Sequence, residues 1–234
     1  MKRLFIIVLV SFVMFSCSDD SSSLEIYNDT RKQTEEWDGG ATKMTNHFID
    51  VYLVPDEIKV VHSYDGEIAL AIIGEEYFTH FDKNYKHYEF VEYLSEFYND
   101  IKYNGYLRGN NDNRAMAYPI DKMTMYCEED FDAQHPAGKT VDDIVTFDFS
   151  SHYNFIQSGY KKNKNSDSRL QDVDCYTLHL NEVNADVATL LALQRTWMVF
   201  NFTSAPETPG EYTFTLEMTI NGKVLKSTFT HTFE

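Results

Sequence analysis

Residues 211–233 read EYTFTLEMTINGKVLKSTFTHTF, and this stretch decides the fold class. Tyr212, Phe214, Leu216, Met218 and Ile220 alternate with Thr213, Thr215, Glu217 and Thr219, the two-residue period of a strand with one buried face. Asn221-Gly222 supplies the backbone freedom that a type I′ turn needs, so Lys223 to Phe233 is expected to return as the second strand of a hairpin. A lone hairpin is barely stable in water, so its apolar face requires a second sheet.

The segments before it can supply one. Ile120 to Cys127, Ile144 to Ser151, Val173 to Leu180 and Trp197 to Phe202 read as short strands, and Asp186 to Leu193 as a short helix. Lys161 to Asn165 reads as an exposed loop. An aromatic share of 15%, with 16 Tyr and 17 Phe, favours half-buried strands. The fold class is therefore mainly β, with an antiparallel β-sandwich over about 118–234 and a domain start at 113.

The preceding segment, 24–112, reads as a smaller α/β unit. Residues 24–46 are polar, with a helical turn expected near Arg31 to Trp37. His47 to Val54 is a strand that Pro55 should end, and Ile58 to His62 and Glu67 to Ile73 flank a turn at Ser63, Tyr64, Asp65 and Gly66. Phe90, Val91, Leu94, Phe97, Tyr98 and Ile101 fall on one face of a helix. Asn104 to Asn113 reads as a polar loop and domain boundary.

Twenty basic against 37 acidic residues give a net charge of -17. Phosphate binding needs a basic face, so nucleic acid is excluded as an expected partner. A solvated, non-aggregating exterior accounts for the charge without an acidic binding site.

The first 16 residues place Lys2 and Arg3 before an apolar run from Leu4 to Phe15 broken by Ser11. That is the layout of a signal peptide, too short to span a bilayer stably. Ser16 and Cys17 end it, and the stretch resembles the lipobox of bacterial lipoproteins. The resemblance implies cleavage before Cys17, lipid on its sulfur and attachment to a membrane through two or three acyl chains. Ser18 to Ser23, a polar tether containing Asp19 and Asp20, resembles the acidic export signal of Bacteroidetes-type surface lipoproteins. It implies the outer membrane, facing outward, and says nothing of activity.

Pro206 to Tyr212, PETPGEY, resembles the approach to the penultimate strand in immunoglobulin-like domains of such lipoproteins, a likeness that implies a sandwich and no particular reaction. Antibody-type domains order their core residues Cys, Trp, Cys, whereas this chain has Cys127, Cys175 and then Trp197, so that disulfide is not carried over. Both cysteines fall on expected strands of an exported chain. They form a bridge if their Cα atoms come within about 7 Å, and are two buried thiols otherwise.

Catalytic chemistry leaves little trace. No G-x-S-x-G, H-E-x-x-H or P-loop occurs, so no catalytic residue is assigned. None of the eight histidines, His47, His62, His80, His87, His135, His152, His179 and His231, pairs at a metal-ligand spacing. The acidic stretch Glu128 to Asp143 is the most site-like. Asp130, Asp132, Asp142 and Asp143 there offer oxygen ligands suited to calcium, but the EF-hand spacing is absent and a solvated loop is the default. No other cofactor is expected.

Trp37, Tyr103, Tyr106 and Tyr160 fall in expected loops, where an aromatic ring is harder to assign to a core and could stack on a sugar. The expectation is therefore a non-enzymatic, lipid-anchored surface protein that binds extracellular polysaccharide or an outer-membrane protein. A surface hydrolase with a convergent acid pair and a pilus-like subunit that polymerises by strand exchange are the rival readings.

Overall fold

The computed structural model describes residues 36–37, 41–63, 67–79, 84–108, 113–162, 170–193 and 198–234. Expectations for 1–35, which include the signal peptide, Cys17 and the tether, lie outside the described residues, as do 64–66, 163–165, His80 and Trp197.

The chain forms a mainly β sandwich. Strands β1 (Glu36–Trp37), β2 (Ala41–Asn46), β3 (Val51–His62) and β4 (Ile68–Phe78) precede helix α1 (Tyr88–Phe97). Then come β5 (Tyr103–Arg108), β6 (Arg114–Met116), β7 (Ile120–Cys127), β8 (Val145–Ser151), helix α2 (Tyr153–Gln157), β9 (Asp174–His179), β10 (Val199–Phe202), β11 (Gly210–Ile220) and β12 (Lys223–Phe233). One sheet runs β6-β3-β4-β10-β8-β9, a second β12-β11-β7, and a small third β1-β2-β5. All pairs are antiparallel except β3 with β6.

The β11–β12 hairpin has the expected register, Ile220 opposite Lys223 and Gly210 opposite Phe233. Its alternation is realised as burial: Tyr212, Phe214, Leu216, Met218 and Ile220 all point inward. They meet Ile58, Val60, Leu70, Phe147 and Phe200 from the six-stranded sheet in one continuous core. This apolar burial is the main favourable term holding the sheets together.

The sandwich reaches back to residue 51, because β10 pairs with β4 and carries the sheet across the boundary expected at 112/113. The expected break at Pro55 is also absent. A register shift between Pro55 and Glu57 absorbs the proline, which lacks a ladder N–H, and β3 continues through it. Opposite Pro55 stands Gly74, where a Cβ would overlap the Val54 carbonyl oxygen, so glycine permits the close approach.

Four further expectations are corrected. The loop expected at Asn104 to Asn113 begins as strand β5, whose pairing with β2 also makes residues 41–46 a strand. Trp37 is in a strand, not a helical turn. Asp186 to Leu193 forms turns and isolated bridges instead of a helix, with Ala115 opposite Ala192 and Ser151 opposite Leu191. In α1 the buried stripe is Val91, Leu94 and Ser95, continued by Tyr98, while Phe97 is 65% exposed. Phe97 lies on the flank of that stripe and stacks on exposed Tyr93 at 6.1 Å.

Beneath α1 and α2 a second core gathers Phe48, Ile49, Tyr52, Leu94, Tyr98 and Phe155. Asn99, at φ 58, ends the α1 turn in the left-handed region and brings Asp100 beneath it. The buried Asp100 carboxylate accepts from Phe48 N at 2.8 Å, Ile49 N at 2.8 Å and the Tyr160 hydroxyl at 2.9 Å. Burial pushes its pKa up, against the pull of those donors.

Candidate functional site

Where β10 and β12 end, the two sheets leave an open groove of about 500 Å³. Phe200, Asn201 and Phe202 of β10 line it with Thr203, Ser204 and Ala205 beyond, and Glu67 and Ile68 of the β3–β4 hairpin form another wall. His231 and Phe233 of β12 complete it. Strand alternation explains the choice of side chains. Phe200 and Phe202 share one face of β10, and His231 and Phe233 continue the inward face of Leu225 and Phe229 on β12. At the sandwich end the core is no longer sealed, so these last rings are half-buried rather than covered.

The rings are ordered relative to one another. His231 lies within 5° of parallel to Phe202 at 5.8 Å, and within 7° of parallel to His62 on β3 at 5.5 Å. Phe233 stands edge-on to both His231, at 4.6 Å, and Phe202, at 5.1 Å. Burial and the neighbouring His62 push the His231 pKa below its ordinary value, so at neutral pH this ring is uncharged and presents a π face. Asn201 Nδ2 donates to Asp148 Oδ2 at 3.0 Å and the Thr203 hydroxyl to Ile144 O at 3.1 Å, which orients the polar rim.

Among the residues lining the groove there is one carboxylate, Glu67, and no Lys or Arg. Parallel rings beside amide, hydroxyl and carboxylate groups suit a polyol, whose C–H faces stack and whose hydroxyls exchange hydrogen bonds. Acid–base hydrolysis of a glycoside calls for two carboxyl groups, and the lining supplies one.

The residues proposed from sequence lie elsewhere. Trp37 and Tyr106 are on β1 and β5, with side chains outside the described residues. Tyr103 and Tyr160 do meet, at 5.1 Å, but they pack with Phe48 and Phe155 around Asp100. Both are partly buried against the second core, where Tyr160 has a buried partner for its hydroxyl and Tyr103 has Phe48 and Tyr160 as ring neighbours.

The acidic loop is likewise committed internally. His135 is buried, with Nδ1 2.8 Å from Asp132 Oδ1 and Nε2 3.0 Å from Asp143 Oδ1. Burial opposes the cation, but the carboxylates on both nitrogens outweigh it and raise the His135 pKa, while the His135 contact lowers that of Asp132. Asp130 accepts from Ala137 N at 2.8 Å and Asp142 from Met125 N at 2.7 Å. Among the described residues no three His, Cys, Asp or Glu are grouped to hold a metal ion. Cys127 and Cys175 are both free thiols, one buried on β7 and the other exposed on β9 in the opposite sheet, so the bridge does not form.

The groove was not legible from sequence. His62 and His231 are 169 residues apart, and no local spacing marks them. The available signal was weak: inward-facing aromatics at the last positions of β10 and β12, where a core strand has no further layer to cover them. No protein-family model, curated protein or solved structure matches this chain.

Proposed function

We propose that this chain is a lipid-anchored protein of the outer-membrane surface whose groove holds an uncharged segment of extracellular polysaccharide. The observation that carries the binding reading is the ring arrangement of Phe202, His231 and Phe233 over a groove lined without Lys or Arg. A chain of net charge -17 repels anionic polymers at long range, which favours a neutral glycan over a uronic or sulfated one. The anchoring reading rests on Lys2, Arg3, the apolar run and Ser16-Cys17, and on the polar tether that follows.

The test is a thermal-shift screen of the purified protein against neutral and anionic polysaccharides, repeated with Phe202→Ala. A ligand at about 100 times its Kd should stabilise the fold by about 2.7 kcal/mol, and the variant should lose the response. No shift with any neutral glycan, or an equal shift in Phe202→Ala, would sink the groove as a sugar site. The anchor is tested separately by metabolic labelling with a palmitate analogue, where Cys17→Ala should abolish incorporation.

A further inference from the structure

His62 Nε2 lies 3.2 Å from His231 Nδ1, with ring centroids 5.5 Å apart and planes 7° from parallel. The centroid separation exceeds the N···N distance by about two ring radii, so both nitrogens sit on the line joining the ring centres. This is an end-on N–H···N hydrogen bond, in which one imidazole donates and the other accepts. The two nitrogens face each other along one line, whereas ligands of a tetrahedral zinc would have to converge on it at an angle.

The bond closes one end of a seam. Asp56 Oδ1 meets Lys223 Nζ at 3.4 Å, Val60 N–H donates to the Ser227 hydroxyl at 2.9 Å, and His62 meets His231. Along these contacts both chains advance in the same direction, so β3 and β12 run parallel at the edge where the two sheets meet. They share no backbone ladder among the described residues, and side chains make the join.

We propose that His62 and His231 are a proton-controlled latch on the β3–β12 seam, closed while one of the facing nitrogens is unprotonated and released when both rings are cations. With both charged, N–H faces N–H and two like charges lie 3.2 Å apart in place of a hydrogen bond. The surroundings do little to offset this. From the β3–β4 hairpin, Glu67 lines the groove beside His231. Strand β10 brings only Val199, Phe200, Asn201 and Phe202, none of them titratable. From β11, Tyr212 stands opposite His231 but commits its hydroxyl to Thr208 O at 2.7 Å. Asp56 and Lys223 pair with each other at the far end of the seam. Burial and the His62 charge both disfavour the second proton on His231, which places release below the ordinary histidine range.

The latch is independent of what occupies the groove, and its test needs no ligand. NMR of the purified protein from pH 7.5 to 4.5 follows the imidazole nitrogens of His62 and His231 and the exchange protection of the Val60 and Leu216 amides. The expected result is that His231 takes up its proton below the ordinary histidine range. As the second proton binds, Val60 protection, corrected for intrinsic exchange, should fall about tenfold while Leu216 in the middle of β11 stays unchanged. His62→Gln, at an exposed strand end, should remove the step in Val60 protection. A His231 titration at the ordinary histidine value, or Val60 protection that does not change with pH, would overturn the proposal.

Discussion

Val60 and Ser227, 167 residues apart, are joined by the Val60 N–H donating to the Ser227 hydroxyl at 2.9 Å. In the stretch where β3 has no neighbour beyond β4, this side chain takes the place that another strand's carbonyl would fill. An edge N–H near a core is costly to leave unmatched. Ser227→Ala is expected to lower unfolding stability by about 1–2 kcal/mol, read as a shift of the urea midpoint with an unchanged slope. Ser227→Thr, which keeps the hydroxyl, should recover most of it.

Asp100 plays the equivalent part in the second core. Its carboxylate faces only donors: two backbone N–H groups and the Tyr160 hydroxyl. Asparagine would turn an N–H₂ toward one of them, so Asp100→Asn should cost about 2 kcal/mol and Tyr160→Phe about 1 kcal/mol. Double-mutant analysis of the two substitutions should show coupling, because they share one hydrogen bond.

The Asp132–His135–Asp143 clamp makes stability depend on pH in the opposite sense to the histidine latch. The His135 pKa is raised above 6.5, so its contribution is fully present below that value and is lost as pH rises through the folded pKa. Asp132 is lowered from 3.8, so its share is present above 3.8 and is lost as pH falls through its folded value. The clamp therefore works best between those two ordinary values. The melting-temperature difference between the native protein and His135→Gln should be largest near pH 5 to 6 and should shrink toward pH 8.

Cys127 and Cys175 should separate cleanly under alkylation. Burial raises both thiol pKa values, but Cys175 is exposed on the edge strand β9 and Cys127 lies in the core. Mass spectrometry after iodoacetamide treatment at pH 8 should find Cys175 modified in the native state and Cys127 only after denaturation. Protection of both thiols, relieved together by reductant, would indicate a bridge and contradict the fold described above.

Features that depend on neighbouring residues were legible in the sequence. The alternation of Tyr212 to Ile220, the Asn221-Gly222 turn and the segment Ile120 to Cys127 specify their strands, because strand period and turn chemistry act over a few residues. Where pairing with a distant partner overrides local preference, the reading failed. Pro55 is carried through β3 by a bulge opposite Gly74, and the polar 104–108 segment becomes a strand because β2 lies beside it.

The sequence by itself determined a mainly β chain and its closing hairpin, both of them consequences of short-range periodicity and composition. Only the tertiary structure decided that β12 lies beside β3, and with it the groove and the histidine pair, and that Tyr103 and Tyr160 pack against the second core. The physical reason is that these features arise from burying two sheet faces against each other. That packing brings together residues such as His62 and His231, whose separation of 169 positions leaves no local trace in the chain.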